Sequence, residues 1–395
     1  MTFYIIGIGN RKPNFTSKQR GTIQQNYVFS GGKRHYELVK EFLPRKHQWI
    51  AIQSPMSGVF EAYEKIAKSV VVFASGNPLF YGFSNTLRNH YPTAKIITES
   101  YFSSIQLLAN ATNTNSNQLE TVSVHGRAWY DFDTILMQQK ELIGVLTDVE
   151  KGPSAIAQRM LEYGYTNYEM VVGEDIEGDQ EQFYQLSVTE AITKSFYSLN
   201  CVLLKKTRHR EIDFGISDID FKGLLGRPNM ITKMPVRLTT LHLMQVLNIN
   251  ALWDVGFCTG SISIEAKLKN PSLEIVAFEK RTECEHIMIE NQKRFGAPGI
   301  QLIMGDFFEQ DLSQFSKPDA VFIGGHGGRL EELLFKIAPL LKSDTTIVIN
   351  AVKEHSINMF RTGCSQIGYA ITDMHQITLD NHNSITLLKA NKESL

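Results

Sequence analysis

Three acidic residues in the C-terminal half, each at the end of an apolar run, could together bind a nucleoside. The segment LWDVGFCTGSISIEA (252–266) predicts a buried strand ending at Asp254, a glycine-bearing loop, and a helix beginning near Ser261. Glu279 and Asp306 end the next two predicted strands. Ligands of open α/β sheets bind at the carboxyl ends of the strands. Glu279 could therefore accept the ribose hydroxyls, and Asp306 could bind an adenine amine.

The loop after Asp254 decides which nucleoside cofactor is expected. A dinucleotide fold uses GxGxxG to place a pyrophosphate on a helix N-terminus, whereas this loop reads GFCTG. An acid before the first glycine would repel pyrophosphate but favour the cationic amino-acid end of S-adenosylmethionine. Any one of the acids alone is more often a helix cap or a solvated carboxylate, so the ordered trio carries the prediction. The predicted contacts are Asp254, Gly256, Thr259, Gly260, Glu279 and Asp306.

The length and the net charge of the chain limit the classes of protein to which it could belong. A chain of 395 residues exceeds what one hydrophobic core usually organises, which predicts two domains. Lys and Arg number 40 against 41 Asp and Glu, so the net charge does not attract the protein to nucleic acid or an anionic membrane, although local basic patches remain possible. The apolar runs are far shorter than the roughly 20 residues of a membrane span, and MTFYIIGIGN lacks a basic leader. We expect a cytoplasmic protein.

The four cysteines are scattered without a CxxC pair, which predicts reduced thiols and no metal site. Short apolar runs alternate with helix-like stretches along the chain, and this alternation predicts an α/β architecture. The last two runs predict a hairpin, ITDMHQITL and SITLLKA around the turn DNHN (380–383). The other predicted strands are 3–8, 49–52, 70–74, 95–98, 121–124, 142–147, 168–172, 198–205, 251–257, 275–279, 300–306, 319–325 and 346–352.

Several motifs in both halves resemble one known family. Residues 226–266 together with PDAVFIGGHGG (318–328) are similar to the C-terminal methyltransferase domain of the precorrin-6Y methyltransferases of the cobalamin pathway. In the first half, GIG near the start, VVVFASGNPLFYGFSNTL (70–87), SVHGR (123–127), and LTD followed by PSAIA (153–157) resemble the tetrapyrrole methyltransferase fold in that family's branch. The resemblance spans nearly the whole chain in the family's fused order.

The resemblance implies a fold, a division of the chain and a reaction. It implies an N-terminal tetrapyrrole-methylase fold of class III, made of two α/β lobes, over residues 1–206. A linker (207–222) and a Rossmann-like class I methyltransferase domain (223–395) would follow. The family methylates meso carbons 5 and 15 of a tetrapyrrole and removes the ring C acetate as carbon dioxide. The resemblance implies one S-adenosylmethionine site in each domain, and either a cobalt-free or a cobalt-bound substrate.

For the N-terminal domain, the resemblance implies cofactor contacts along three segments. The alternative to cofactor binding is a purely structural role, in which GNP forms a turn and the serine pair caps a helix. The chain also departs from the family at two positions, where Asn10 and Asn77 replace the usual Pro and Asp. The implied contacts are Gly7, Gly9, Gly76, Asn77, Pro78, Leu79, Ser103 and Ser104.

Three further residues are candidates for contact with the substrate. His326 in GGHGG could steer a proton or bind a carboxylate, although those glycines could merely build a turn. Lys233 and Arg237 are placed by family position to bind the carboxylates of the tetrapyrrole. No NPPY run follows DAVFIGG, which favours methylation of carbon over nitrogen. The alternatives that remain are an RNA methyltransferase and a non-catalytic S-adenosylmethionine sensor, and we expect a homo-oligomer.

Overall fold

The computed structural model describes residues 1–66, 69–227, 230–379 and 383–393. The chain divides into two compact units. The N-terminal unit comprises Met1–Ala128, Lys140–Gln158 and Thr166–Arg208, and the C-terminal unit comprises Trp129–Gln139, Arg159–Tyr165 and His209–Leu395. No helix within the described ranges is both long and apolar enough to cross a membrane.

The N-terminal unit contains two five-stranded sheets. The first is formed by β1 (Thr2–Ile8), β2 (Val28–Gly31), β3 (Gln48–Ala51), β4 (Ser69–Ser75) and β5 (Lys95–Glu99), all parallel, in the order β3-β2-β4-β1-β5. The second is formed by β6 (Leu119–Ser123), β7 (Leu142–Leu146), β8 (Tyr168–Glu174), β9 (Gln182–Ser187) and β10 (Asn200–Lys206), in the order β6-β7-β10-β8-β9. The helices between residues 1 and 208 are α1 (Ser17–Gln24), α2 (Lys33–Val39), α3 (Met56–Glu64), α4 (Phe83–His90), α5 (Ser104–Ala111), α6 (Tyr130–Met137), α7 (Pro153–Glu162) and α8 (Val188–Thr193). Of these, α6 and the end of α7 belong to the C-terminal unit.

The run VVVF in β4 is apolar throughout because helices cover both faces of a parallel sheet. Val70 and Val72 pack into the core on one face, whereas Val71 and Phe73 pack into the core on the other. All four side chains are fully buried. Alternate side chains of β4 therefore pack into two cores, one on each face of the sheet. This packing on both faces fixes the position at which β4 ends at the carboxyl edge of the sheet.

The C-terminal unit contains one seven-stranded sheet. Its strands are β11 (Ala251–Val255), β12 (Glu274–Glu279), β13 (Ile300–Met304), β14 (Ala320–Ile323), β15 (Thr346–Ala351), β16 (Tyr369–Ile377) and β17 (Ile385–Lys392), in the order β13-β12-β11-β14-β15-β17-β16. The strands are parallel up to β15, and β17 is antiparallel to both β15 and β16. The helices are α9 (Met234–Leu243), α10 (Ser261–Lys269), α11 (Glu283–Phe295), α12 (Leu330–Ile337) and α13 (Glu354–Gln366).

The α/β class is confirmed, and each predicted strand exists with small shifts at its ends. Two strands were not predicted: β2 has only four residues and runs into a glycine pair, and β9 lies at a sheet edge with mostly exposed side chains. The helix α9 begins at Met234, and Pro235 occupies its first turn, where the missing N–H of proline has no helical partner to lose. The C-terminal hairpin is confirmed, while residues 380–382 of its predicted turn lie outside the described residues.

Candidate functional site

A cavity of about 480 Å³ lies at the carboxyl ends of the central strands of the C-terminal unit. Such crevices are where open α/β sheets bind ligands. The cavity wall combines the three strand-end acids with the loop that joins β11 to α10 and with the glycine-rich loop after β14. The structure thereby brings together these residues of the sequence prediction: Asp254, Gly256, Thr259, Glu279, Asp306 and His326.

Asp254 lines this cavity and has a buried carboxylate oxygen without a hydrogen-bond partner among the described residues. Its side chain is buried, and Ser263 donates a hydrogen bond of 2.5 Å to Oδ2. Within the described part of the chain, Oδ1 has no hydrogen-bond partner. Burial and, to a lesser extent, the nearby charge of Glu279 raise the pKa of Asp254 to about 7. A buried carboxylate in this state gains most from a cationic ligand, and the ammonium of S-adenosylmethionine is one.

Glu279 is held in a fixed orientation by backbone donors. The N–H groups of Lys280 and Arg281 donate to Oε1 at 2.9 and 3.0 Å, and the N–H of Cys258 donates to Oε2 at 3.2 Å. These bonds tie the end of β12 to the loop after β11. Arg281 Nη1 also donates to Oε2, at 3.5 Å. A carboxylate oxygen accepts about two hydrogen bonds, so a ligand hydroxyl would replace this long contact. The geometry fits the ribose contact that the sequence predicted.

Asp306 combines the two roles that sequence reasoning left open. It lines the cavity, yet its Oδ1 also accepts the N–H of Phe308 at 2.9 Å and caps a short 3₁₀ turn. Arg329 lies with its guanidinium 3.6 Å from the ring centre of Phe308 and 3.8 Å from Asp306 Oδ2. This corner is therefore ordered by local contacts and retains an acid that faces the cavity.

Two glycines of the loop are required for packing. Gly256 has φ +84°, and a Cβ there would lie 2.6 Å from the backbone nitrogen of Gly325. Gly260 has φ +77° at the start of α10, and a Cβ there would lie 1.7 Å from the sulfur of Met288. Gly260 is not among the described lining residues of the cavity. It contributes by letting α10 begin close to α11, whereas Gly256 shapes the cavity wall itself.

Gly256→Ala is expected to reduce the affinity of the C-terminal unit for S-adenosylhomocysteine about tenfold or more. The new methyl group meets backbone that cannot rotate away, in addition to the ~1–2 kcal/mol strain of a left-handed residue. Calorimetric titration measures the affinity. Gly368→Ala is the matched control, because Gly368 also has positive φ but open space around its Cβ position. Equal affinities in the two variants would contradict the steric argument.

His326 lies in the cavity wall, as predicted, with a defined tautomer. The Gly328 N–H donates to its Nδ1 at 3.2 Å, so a neutral ring carries its proton on Nε2. Burial lowers the pKa of His326 below its ordinary value, and the charge of His355 lowers it further. The ring is therefore neutral near pH 7 and can donate one hydrogen bond from Nε2.

The structure does not support substrate contact by Arg237, and that prediction is corrected. The side chain is fully buried and paired with Glu265, and it also bonds Asp218 at 3.0 Å and the carbonyl of Thr232 at 2.7 Å. Its donors are used inside the protein, so it stabilises the unit instead. Lys233 precedes α9 with its Nζ 4.0 Å from Asp218, and it is not among the cavity's described lining residues.

The N-terminal unit has its own cavity, of about 430 Å³. The lining includes Gly9, Gly76, Asn77, Ser103 and Ser104 from the sequence prediction. The remaining three predicted contacts, Gly7, Pro78 and Leu79, are not among the described lining residues.

Those three residues have structural roles or are exposed. A Cβ on Gly7 would lie 2.1 Å from the Gly76 carbonyl oxygen, so Gly7 lets two loops approach closely. Pro78 is buried and lies close to Gly82. A Cβ added at Gly82 would lie 2.6 Å from the carbonyl oxygen of Pro78. The Leu79 side chain is 49% exposed. Gly7 and Pro78 therefore support the packing of the loop, whereas Leu79 is largely exposed to solvent.

Asn77 and Ser103 also have the structural roles, turn and helix cap, that the sequence offered as alternatives to cofactor binding. Asn77 Oδ1 accepts from the Leu79 N–H at 3.0 Å and from the Ser100 hydroxyl at 2.9 Å, which fixes the turn. Ser103 caps α5 by accepting the Gln106 N–H. Both residues nevertheless line the cavity, so each combines a structural role with a position in the cavity wall.

Sequence reasoning missed a polar group in the same cavity. Arg34, His35 and Ser75 line it beside Gly9 and Asn10. The available signal was SGGKRH (30–35), in which basic residues directly follow a glycine pair at the end of the unpredicted strand β2.

Comparison with known proteins identifies similar chains for both halves. Residues 226–393 match a family model described as a precorrin methyltransferase domain. The chain is 28% identical over 386 residues to a Sinorhizobium precorrin-6Y C(5,15)-methyltransferase (decarboxylating), covering 96% of this chain and 87% of that protein. It is 31% identical to a Salmonella typhimurium cobalt-precorrin-6B C(15)-methyltransferase (decarboxylating), covering 40% of this chain and 81% of that protein. It is 29% identical to the cobalt-precorrin-7 C(5)-methyltransferase of the same organism, covering 46% and 87%.

Proposed function

Because this chain belongs to the precorrin methyltransferase family, we propose that it is a bifunctional enzyme that methylates a corrin precursor at meso carbons 5 and 15. The substrate is precorrin-6Y or its cobalt form, S-adenosylmethionine is the methyl donor, and the ring C acetate leaves as carbon dioxide. The similarity to the two-carbon Sinorhizobium enzyme over 96% of this chain supports both activities in one polypeptide.

We assign one methylation to each part of the chain. Residues 1–206 would methylate carbon 5, and residues 223–395 would methylate carbon 15 and carry out the decarboxylation, with 207–222 as linker. The family model over residues 226–393 and the separate Salmonella enzymes for the two carbons support this division.

The observation that carries the proposal is the buried carboxylate of Asp254, a residue of the C-terminal cavity wall whose Oδ1 has no hydrogen-bond partner in the described part of the chain. S-adenosylmethionine supplies an electrophilic methyl group on a sulfonium. Asp254 holds its ammonium, Glu279 its ribose, and Asp306 its adenine amine. Methyl transfer is an in-line displacement, so the protein mainly aligns the reactants and excludes water, and no acid–base triad is needed.

The N-terminal cavity would hold a second donor molecule. Gly9 and Gly76 allow the donor close to the backbone, while Ser103 and Ser104 offer hydroxyl groups at the start of α5. The walls of this cavity are mainly apolar, with polar side chains at Asn77, Ser103, Ser104 and Asn200 besides the group around Arg34. Such a lining excludes water from the sulfonium and suits an electron-rich carbon nucleophile.

His326→Gln is expected to lower kcat for carbon 15 methylation about 10- to 100-fold, the range for one proton-transfer or oriented hydrogen-bonding group. His326 lines the cavity, and its neutral ring has the Nε2 proton with which it would donate a hydrogen bond to the substrate. Methylation of carbon 5 should be unchanged. The control is His286→Gln, because His286 is an exposed residue paired with Glu290 in the same unit. Equal carbon 15 rates in the two variants would remove His326 from the mechanism.

The direct test incubates the full chain with precorrin-6Y and a ¹³C-methyl donor. Nuclear magnetic resonance then locates the label, and released carbon dioxide is measured in parallel. The proposal expects label at carbons 5 and 15 and one carbon dioxide per substrate. Donor binding without formation of S-adenosylhomocysteine would indicate a sensor and would refute the enzyme. Label at one carbon only would refute bifunctionality.

Self-association and cytoplasmic location stay predictions. Light scattering of the purified chain measures the first, and fractionation of cells that express it measures the second. Retention on heparin that falls steeply with salt would argue for a nucleic-acid partner, which the net charge of −1 does not favour.

A further inference from the structure

The N-terminal cavity has one cationic corner, formed by Arg34 at the start of α2. The guanidinium is half-buried, and two neutral oxygens accept its hydrogen bonds: Asn10 Oδ1 at 2.7 Å and Ser75 Oγ at 2.9 Å. Among the residues that the structure describes, no carboxylate lies within ion-pair distance of Arg34. Burial lowers the pKa of Arg34. A partly desolvated cation without a direct counter-ion favours an anionic ligand.

Asn10 fixes the direction of this guanidinium. Its Nδ2 donates to Asp175 Oδ1, so its Oδ1 must be the atom that accepts from Arg34 Nη1. Asp175 is itself held by the Gln180 N–H at 2.9 Å. The side-chain amide of Asn10 therefore lies between the Asp175 carboxylate and the Arg34 guanidinium. Asp175 stabilises the positive charge of Arg34 from a distance, but it does not pair directly with the remaining N–H groups of Arg34. Asn10 acts as a positioning residue.

Ser75 and His35 complete the corner with a second donor. The Gly32 N–H donates to His35 Nδ1 at 3.2 Å, which places the ring proton on Nε2, 2.9 Å from Ser75 Oγ. Ser75 Oγ then accepts from both His35 and Arg34. A hydroxyl has two acceptor sites and one proton, so the Ser75 proton is left to donate elsewhere. Burial beside Arg34 lowers the pKa of His35 to about 4, which keeps this ring neutral.

We propose that Arg34 and Ser75, oriented by Asn10 and His35, bind one carboxylate side chain of the tetrapyrrole in the N-terminal cavity. Arginine has five N–H donors in a planar fork that matches a carboxylate, and among the described residues Arg34 uses one N–H on Nη1 and one on Nη2. The Ser75 hydroxyl adds a third bond to the same anion. This inference rests on the proposed function, since the acidic side chains of a corrin precursor are the expected anions. The other source of a carboxylate is the amino-acid end of the donor.

Arg34→Gln in the full chain separates these two sources. We expect KM for precorrin-6Y at carbon 5 to rise about 10- to 100-fold, the scale of a lost hydrogen bond to a charged group. Three quantities should stay unchanged: kcat at carbon 5, the rate at carbon 15, and the affinity of the N-terminal unit for S-adenosylhomocysteine. Arg34→Lys keeps the charge but loses the fork, so its KM should lie between those of the wild type and Arg34→Gln. Asn10→Ala should raise the same KM less and leave kcat unchanged.

The matched control is Arg88→Gln, which removes an exposed arginine on α4 of the same unit. Loss of S-adenosylhomocysteine binding in Arg34→Gln would place Arg34 on the donor and overturn the proposal. Direct titration of precorrin-6Y in the absence of donor provides a readout that does not need turnover. If Arg34→Gln binds precorrin-6Y as tightly as Arg88→Gln, the proposal is wrong even if the wild type methylates carbon 5. If the wild type binds precorrin-6Y through Arg34 but transfers no methyl group, the proposed function fails and the binding site stands.

Discussion

Asp254→Asn is expected to weaken S-adenosylhomocysteine binding to the C-terminal unit about 10- to 100-fold, since a hydrogen bond to a charged group contributes ~1.5–3 kcal/mol. Asparagine can still accept from Ser263, which bonds Oδ2 at 2.5 Å. What it lacks is the negative charge that Oδ1, unpaired among the described residues, offers to the ligand's ammonium. Isothermal titration calorimetry measures the change.

The same substitution gives a pH signature with a defined sign. The pKa of Asp254 is about 7, so the carboxylate loses its charge as the pH falls below 7. Wild-type affinity should decrease toward about tenfold per pH unit below that value. In Asp254→Asn the affinity should be flat over the same range, because the titrating group is absent. A wild-type affinity that does not change between pH 7.5 and 5.5 would contradict the role of Asp254.

Asp254→Asn should also stabilise the free protein at pH 8. The folded pKa of about 7 lies above the ordinary 3.8, so ionisation of Asp254 destabilises the folded state once the pH exceeds about 4, and fully above 7. Asparagine removes this penalty, and the thermal midpoint should rise by a few degrees at pH 8 and by nothing near pH 4. Asp344→Asn is the control, because Asp344 is exposed in the same unit. Weaker binding combined with higher stability is the behaviour of a functional site.

Arg237→Met is expected to lower the free energy of unfolding of the C-terminal unit by ~3–5 kcal/mol, the scale for breaking a buried ion pair by removing one partner. Glu265 is fully buried, and besides Arg237 it accepts the Ile216 N–H at 2.9 Å. Without the guanidinium its charge stays buried and uncompensated. Urea unfolding monitored by circular dichroism measures the loss.

The double variant Arg237→Met/Glu265→Met tests the cause. Replacement of both partners by apolar groups of similar size is often neutral, so most of the lost stability should return. Asp218→Asn should have a small effect, because Asp218 is the partly exposed partner of Arg237. If Arg237→Met cost less than about 1 kcal/mol and carbon 15 methylation fell sharply, Arg237 would be a substrate residue after all.

The fold could be predicted from sequence because its strands are short apolar runs that end at glycines and acids. Asp254, Glu279 and Asp306 line one cavity because parallel strands end at a common edge. The burial of Arg237 and its pairing with an acid could not be predicted in the same way. Its main partner, Glu265, lies on another helix, and a cation on a helix has the same sequence pattern whether it faces solvent or a buried acid.

The N-terminal site was harder to predict for a related reason. Arg34 follows β2, a strand of four residues that gave no periodic signal. Its partners Asn10 and Ser75 follow or end other strands of the same sheet, so only the strand order brings them together. Gly7 illustrates the reverse case, since a motif glycine supports the packing of a loop without lining the cavity.

Calorimetric titration of the intact chain with S-adenosylhomocysteine tests most directly whether each unit holds its own donor. We predict two sites per chain, and we predict that Asp254→Asn weakens one of them while the other is unchanged. A single site, or two sites that Asp254→Asn leaves equally tight, would contradict it.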